Sequence, residues 1–250
     1  MLLVDIGNTT THFAVEKEGE IIRDFKVTSH NLTLSRLKNI VSKFSEENIG
    51  ICSVVPSITT LFKKLKRKVF IVGENITVPM RCIYNKKEVG QDRLVNAFAA
   101  RNFFPKSRLI IDFGTAITFD FLSSMGDYLG GFIFPGIGLS LKGLSQCALL
   151  PKKIKLERKD LSSIIPKNTQ ESISRGIIEG ISLMVEAMVK KYKSFLGKGS
   201  KVIITGGEAP WLIKEFSFPY VYEPLLIFKG LLILTRQGVE NSGKGVFSNR

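Results

Sequence analysis

The sequence predicts an α/β protein made of two related halves, and three observations lead there. One pattern is written twice: Leu2-Leu3-Val4-Asp5-Ile6-Gly7-Asn8-Thr9 and Leu109-Ile110-Ile111-Asp112-Phe113-Gly114-Thr115 each read as a buried strand that ends on a carboxylate and turns on a glycine. Strand-like stretches resume after each turn, Thr11-His12-Phe13-Ala14-Val15 and Ile117-Thr118-Phe119-Asp120-Phe121, so each copy is a tight hairpin. Apolar runs of strand length at 49–55, 69–72 and 202–204 alternate with segments of helical periodicity, the signature of the α/β class. Finally, 250 residues at 44% hydrophobic content suffice for two domains of roughly 100 to 150 residues.

Taken in order, the first hairpin is suited to a phosphate. Glycine lets backbone N–H groups approach, the Thr9 hydroxyl can donate, and a carboxylate at the strand end can hold a neutralising cation. A helix follows Gly90-Gln91-Asp92-Arg93, with Leu94, Val95, Ala97, Phe98 and Arg101 on one face. The polar, proline-containing stretch 105–108 divides the chain into domains 1–106 and 107–250, with a cleft between them. The second hairpin repeats the first with Asp112 and Thr115. Two glycine-rich segments come next, Gly130-Gly131-Phe132-Ile133-Phe134-Pro135-Gly136-Ile137-Gly138 and Thr205-Gly206-Gly207, each read either as an ordinary turn or as a close approach to a nucleotide. A long helix carries Ile173, Ile177, Ile181, Met184 and Met188, and Asn168 with Glu171 forms a variant capping box at its start. Asp92 and Thr169 thus fall at helix N-termini. Both are common caps, but a carboxylate in that place can also be a base beside a bound phosphate donor.

Several chemistries are disfavoured. There is no G-x-x-x-x-G-K-[ST] loop, and Gly136-Ile137-Gly138-Leu139-Ser140-Leu141 lacks the third glycine of a dinucleotide fingerprint. Cys52, Cys82 and Cys147 are odd in number and widely spaced, so they read as reduced thiols rather than a disulfide or zinc framework. Only His12 and His30 are present, which turns the search for a general base to carboxylates. The net charge of +14 creates a field that attracts anions. Its densest runs, Lys63-Lys64-Leu65-Lys66-Arg67-Lys68 and Lys152 to Lys159, lack interleaved aromatics and read as solvated faces rather than a specific nucleic-acid platform. The run 225–234 is broken by Lys229 and Gly230, short of the roughly 20 residues a membrane helix needs. The expectation is a cytoplasmic protein with no membrane attachment.

A duplicated carboxylate-plus-glycine hairpin is the pattern of the actin, sugar-kinase and heat-shock ATPase superfamily, whose active site lies in the interdomain cleft. Within it the chain resembles the type III pantothenate kinases over nearly its whole length. Asp5-Ile6-Gly7-Asn8-Thr9 resembles that family's first phosphate motif, Gly90-Gln91-Asp92-Arg93-Leu94-Val95-Asn96-Ala97 its pantothenate motif, and Asp112-Phe113-Gly114-Thr115-Ala116 its second phosphate motif. The segments at 130–136 and 205–207 match its remaining glycine blocks.

The resemblance implies ATP-dependent phosphorylation of pantothenate, the first step of coenzyme A biosynthesis. By it, Asp5, Ile6, Gly7, Asn8, Thr9, Thr10, Thr11 and His12 line the ATP phosphates together with Thr115. Asp112 holds a monovalent cation, potassium or ammonium, and Mg2+ accompanies the nucleotide. Gly90, Gln91, Asp92 and Arg93 grip pantothenate with Asp92 as proton acceptor, Thr169 touches the same substrate, and the active form is a homodimer. Arg93 would either orient Asp92 or bind the substrate. One departure is visible: the family's upstream tyrosine precedes an Asn-Pro turn, whereas Tyr84-Asn85-Lys86-Lys87-Glu88-Val89 lacks the proline and is one residue shorter. Tyr84 is therefore carried both as a substrate contact and as an ordinary core or surface aromatic.

Overall fold

The computed structural model describes residues 1–86, 88–156 and 164–244, with the side chains of the last two left aside. Its first sheet contains β1 (Leu2–Ile6), β2 (Thr10–Lys17), β3 (Glu20–Thr28), β4 (Asn48–Ser53) and β5 (Lys68–Ile71), in the order β3-β2-β1-β4-β5. Helices α1 (Leu34–Val41), α2 (Pro56–Lys63) and α3 (Gln91–Phe103) fall after β3, β4 and β5 respectively. The second sheet holds β6 (Ser107–Phe113), β7 (Ala116–Leu122), β8 (Tyr128–Pro135), β9 (Lys201–Thr205) and β10 (Val221–Tyr222), ordered β10-β9-β6-β7-β8. Read from its other edge, that order is β8-β7-β6-β9-β10. Strand for strand it repeats the first sheet, so the duplication in the two hairpins extends to the whole sheet topology. The remaining helices are α4 (Ile137–Leu144), α5 (Thr169–Lys191), α6 (Lys193–Leu196) and α7 (Leu226–Lys244).

Strand alternation sorts β1 into two faces. Leu2, Val4 and Ile6 join Ile49 and Ile51 of β4, Leu37 and Val41 of α1, and Ile58 and Phe62 of α2 in one buried cluster. Phe13 sits in it, stacked on Phe25 with ring centroids 5.0 Å apart. Leu3 and Asp5 therefore point to the opposite face, where α7 packs on β1 and β4 and α3 on β4.

The chain divides into two compact units, but not as two consecutive blocks. Of the described residues, those within 1–107, 120–130 and 225–244 form the first unit, and those within 108–119 and 131–224 the second. The segment from Leu225, grouped by the sequence division with the second half, thus packs on the first sheet. Apolar residues Leu226, Phe228, Leu231 and Leu234 of α7 are buried there. Gly230 allows the close approach to α3, since a Cβ on it would stand 2.7 Å from the Val95 carbonyl oxygen.

The capping box before α5 takes a shifted form. Asn168 Oδ1 accepts from Glu171 N at 2.9 Å, while Glu171 Oε2 reaches back to Lys167 N at 3.1 Å, one residue earlier than the usual partner. The glycine-rich segment after the second hairpin is not a turn throughout. Residues 130–135 complete β8, and α4 begins at Ile137.

Candidate active site

In the first unit, Gly7 N donates to Thr10 O at 3.0 Å and closes the turn between β1 and β2. Ser29, just past β3, braces it: its hydroxyl donates to Gly7 O at 2.7 Å and its N–H to Thr9 O at 3.0 Å. The Ser29 hydroxyl also lies 3.0 Å from that of Thr11, which is buried. Asn8 and Thr9 remain exposed at the tip, Gly7 and Thr10 are half-buried, and Ile6 faces the apolar cluster. A recess of about 360 Å³ opens beside the tip, lined by Asn8, Ser29, His30, Val55 and Ser57 among others.

The register sets Asp5 opposite His12 on β2 and beside Cys52 on β4. His12 packs edge-on against Phe228 of α7, and its Nε2 lies 2.7 Å from Asp24 Oδ2. Burial lowers the pKa of His12 despite Asp24, which leaves a neutral ring at neutral pH rather than a cation for phosphate. Cys52 is fully buried, and its pKa is pushed well up, first by burial and then by the charges of Asp5 and Asp92. Asp92 therefore shares the α3 face of the sheet with Asp5.

Asp92 occupies the first turn of α3, where Gly90 is the N-cap residue and makes no side-chain cap. Asp92 Oδ1 accepts from Arg93 N at 2.9 Å. Burial raises the Asp92 pKa, outweighing that N–H and the Arg93 charge. The Gln91 side chain turns back over Gly73, whose Cβ position is 2.9 Å from Gln91 Cδ.

Arg93 is nine-tenths buried. Its Nε donates to Asp120 Oδ1 at 2.8 Å, and Tyr128 OH donates to the same oxygen at 2.7 Å. Arg93 Nη2 is 2.8 Å from that oxygen but out of hydrogen-bond alignment, and it has no other hydrogen-bond partner among the described residues. Burial works against the guanidinium charge, yet Asp120, Tyr128 and Asp92 together raise its pKa. Tyr84 reaches the same neighbourhood because residues 81–83 pair with β8, Ile83 N donating to Tyr128 O at 2.9 Å. The Tyr84 ring lies over Gly130, 2.9 Å from where a Cβ would stand.

In the second unit three turns converge on Asp112. Gly114 N donates to Ala116 O at 3.2 Å, closing the second hairpin, and Gly136 N donates to Thr115 O at 3.0 Å. A Cβ on Gly136 would stand 2.3 Å from Gly114 O, and one on Gly206 2.4 Å from Asp112 Oδ1. Glu208 ties the turns together, accepting from Ile137 N at 2.7 Å and Gly138 N at 3.0 Å at the start of α4, while its own N–H donates to Phe113 O at 2.8 Å. Burial raises the Glu208 pKa against those two N–H groups. Thr115 is half-buried, and Thr169 is exposed as the first residue of α5.

Of the residues read from sequence, the first unit groups Asp5, His12, Asp92 and Arg93 on or beside one sheet face, and the second groups Asp112 with Thr115. Ser29, Asp120, Tyr128 and Glu208 carry no motif of their own in the sequence; for Asp120 the one signal is a carboxylate inside an apolar strand alternation. Residues 157–159 of the second basic run, and Lys87 of the stretch that follows Tyr84 in sequence, lie outside the described residues.

Paired glycine turns, each carrying a strand-end carboxylate on repeated sheets, define an ATPase-type fold shared with actin-like proteins. The chain superposes on the 2-hydroxyisocaproyl-CoA dehydratase activator of Clostridium difficile, solved with ADPNP, with TM-score 0.58 at 15% identity over 98% of both chains. It also superposes on MreB 5 of Spiroplasma citri bound to AMPPNP, with TM-score 0.54 at 13% identity over 98% of both. The chain belongs to the type III pantothenate kinase family, whose model matches residues 1–191. Type III pantothenate kinases of Syntrophobacter fumaroxidans and Sulfurihydrogenibium sp. are 34% and 36% identical to it, over 96% and 94% of this chain and 99% of each relative.

Proposed function

We propose that this chain transfers the γ-phosphoryl group of ATP to the primary hydroxyl of pantothenate, giving 4'-phosphopantothenate for coenzyme A synthesis. Family membership supports the reaction, and the observation that carries the mechanism is Asp92, a carboxylate of raised pKa on the first turn of α3 beside the buried Arg93. A general base works best when its pKa approaches the working pH, and burial moves Asp92 in that direction. Asp92 takes the hydroxyl proton as the oxygen attacks the γ-phosphorus and the bond to the bridging oxygen breaks, releasing ADP, while Arg93 binds the acceptor's polar groups. The backbone of the Gly7 turn, with Asn8 and Thr9 at its tip, would lie along the phosphates, and Asp5 would hold the Mg2+ that accompanies them. Phosphoryl transfer depends mainly on positioning and charge neutralisation, so fixed turns of this kind supply most of what is needed. Thr115 serves the phosphates, and Tyr84 and Thr169 serve pantothenate.

Asp112 is assigned the monovalent cation. Its carboxylate and the carbonyl oxygens of Gly114 and Thr115 around Gly136 are hard oxygen donors, which suit potassium better than a transition metal. Among the described residues no group of three or more His, Cys, Asp or Glu could hold a metal ion. When bound, such a cation supplies positive charge beside the phosphates. Activity should then require potassium or ammonium, and Asp112→Ala should weaken ATP binding and flatten the salt response. Rates measured in matched sodium and potassium buffers test this; equal rates for the parent chain would remove the assignment.

Phosphorylation of pantothenate by labelled ATP, run beside sugar and carboxylate acceptors, tests the reaction itself. The charge of +14 favours one competing reading, an accessory factor for transcription, and a Campylobacter jejuni structure described as a Baf family transcriptional activator shares the fold, with TM-score 0.62 at 24% identity over 96% of this chain and 100% of that one. If the charge serves only solubility and steering, duplex DNA should bind no tighter than about 10⁻⁴ to 10⁻⁶ M at physiological salt and without sequence preference. Sequence-selective nanomolar binding without kinase activity would replace the enzyme reading. We also assign a homodimer and a cytoplasmic location. No helix among the described residues is long and apolar enough to cross a membrane.

A further inference from the structure

We propose that Asp120 and Tyr128 are positioning residues for the acceptor substrate, fixing Arg93 so that the donors Asp120 leaves unused are presented to pantothenate. This rests on the reading of Arg93 as a substrate ligand. The arrangement is a buried carboxylate that accepts Arg93 Nε at 2.8 Å and the Tyr128 hydroxyl at 2.7 Å on one oxygen. Asp120 is 1% exposed and Tyr128 0%. Tyr128 also sets its ring face 5.9 Å from Arg93 Cζ.

A buried ion pair is weak evidence for stability, because desolvation offsets most of the attraction and apolar residues of similar volume often serve as well. Charge is useful here for direction. A guanidinium has five N–H donors in a rigid plane, so a carboxylate that grips the Nε edge dictates where the remaining donors point. Nη2 is buried beside Asp120 without a properly aligned hydrogen bond, which marks unspent donor capacity at a group adjacent in sequence to Asp92. Tyr128 locks the carboxylate in turn, and the pairing of residues 81–83 with β8 ties the Tyr84 strand to the same support. A short chain of contacts thus runs from β8 through Tyr128 and Asp120 to Arg93, beside the base.

The test is steady-state kinetics on Asp120→Asn, Tyr128→Phe and Arg93→Lys in the full chain, varying pantothenate and ATP separately, with thermal melting of each variant. Arg93→Lys and Asp120→Asn should raise KM for pantothenate by about tenfold or more, the scale of one charge-assisted hydrogen bond. Tyr128→Phe should raise it by about three- to tenfold, and KM for ATP should stay within about twofold in all three. An unchanged pantothenate KM in Arg93→Lys overturns the reading of Arg93 and the inference with it. An effect in Arg93→Lys with unchanged KM and a lowered melting temperature in the other two overturns the positioning role alone and leaves a structural brace. Should Asp120→Asn not fold, Tyr128→Phe decides, since it keeps the ion pair and removes one hydroxyl.

Discussion

Asp92→Asn is expected to lower kcat by about 10²- to 10⁴-fold, the range for loss of a positioned general base, while ATP binding is retained. Asparagine is nearly isosteric, and its carbonyl oxygen can still accept the Arg93 N–H that Asp92 Oδ1 accepts at 2.9 Å. The pH dependence separates a base from a structural carboxylate. Burial raises the Asp92 pKa in the free protein, so the acidic limb of kcat/KM should lie above the ordinary aspartate value of about 3.9 and should vanish in the variant. Stability should move the other way. A carboxyl whose folded pKa is raised contributes stability that is complete below its unfolded pKa and is lost as pH rises through the folded pKa. At neutral pH the ionised Asp92 is therefore a cost, and Asp92→Asn should unfold at the same or a higher urea midpoint than the parent. Turnover within threefold of the parent would leave Asp92 only a structural role in the first turn of α3.

Those features were legible in the sequence to the extent that they are local. A strand ending on Asp5 and turning at Gly7 is readable because strand, carboxylate and glycine are consecutive, and so is Asp92 at the start of a periodic run. What was not legible is carried by distant partners. Ser29 braces Gly7 across 22 residues, Arg93 finds Asp120 across 27, and Glu208 finds Ile137 across 71, and no periodicity encodes such pairs. The destination of α7 was hidden for a related reason: an apolar run states that a helix will be buried, not which sheet will bury it. Helix α4 was obscured by its own glycines, since Gly136 and Gly138 bracket its first residue and glycine is a poor helix former. Its start is held instead by the carboxylate of Glu208. Fold class survives these gaps because it follows from the order of elements, whereas a site depends on side chains that meet only after folding.

Gly206→Ala is the second change expected to act strongly, and it probes the other unit. Gly206 has φ +97°, where an L side chain is strained, and its Cβ would stand 2.4 Å from Asp112 Oδ1 and 2.5 Å from the Phe113 backbone N and C. Backbone cannot yield as a flexible side-chain end can, so either the 205–207 turn or the Asp112 strand end must shift. The expected loss of stability is about 2–4 kcal/mol, at the upper end of ordinary substitutions because strain and overlap act together. If this turn serves the nucleotide, one of the two readings its sequence allows, KM for ATP should also rise by about tenfold or more while KM for pantothenate changes little. Gly143→Ala supplies the control. Gly143 lies within α4, and a Cβ there meets nothing within 4 Å, so alanine should stabilise by about 0.5–1 kcal/mol through helix propensity and leave both KM values alone. Urea unfolding followed by ATP titration of the two variants reads both effects. A Gly206→Ala protein that loses stability but keeps the parent's KM for ATP would remove the Thr205-Gly206-Gly207 turn from the nucleotide site and leave it as a packing contact against the second hairpin.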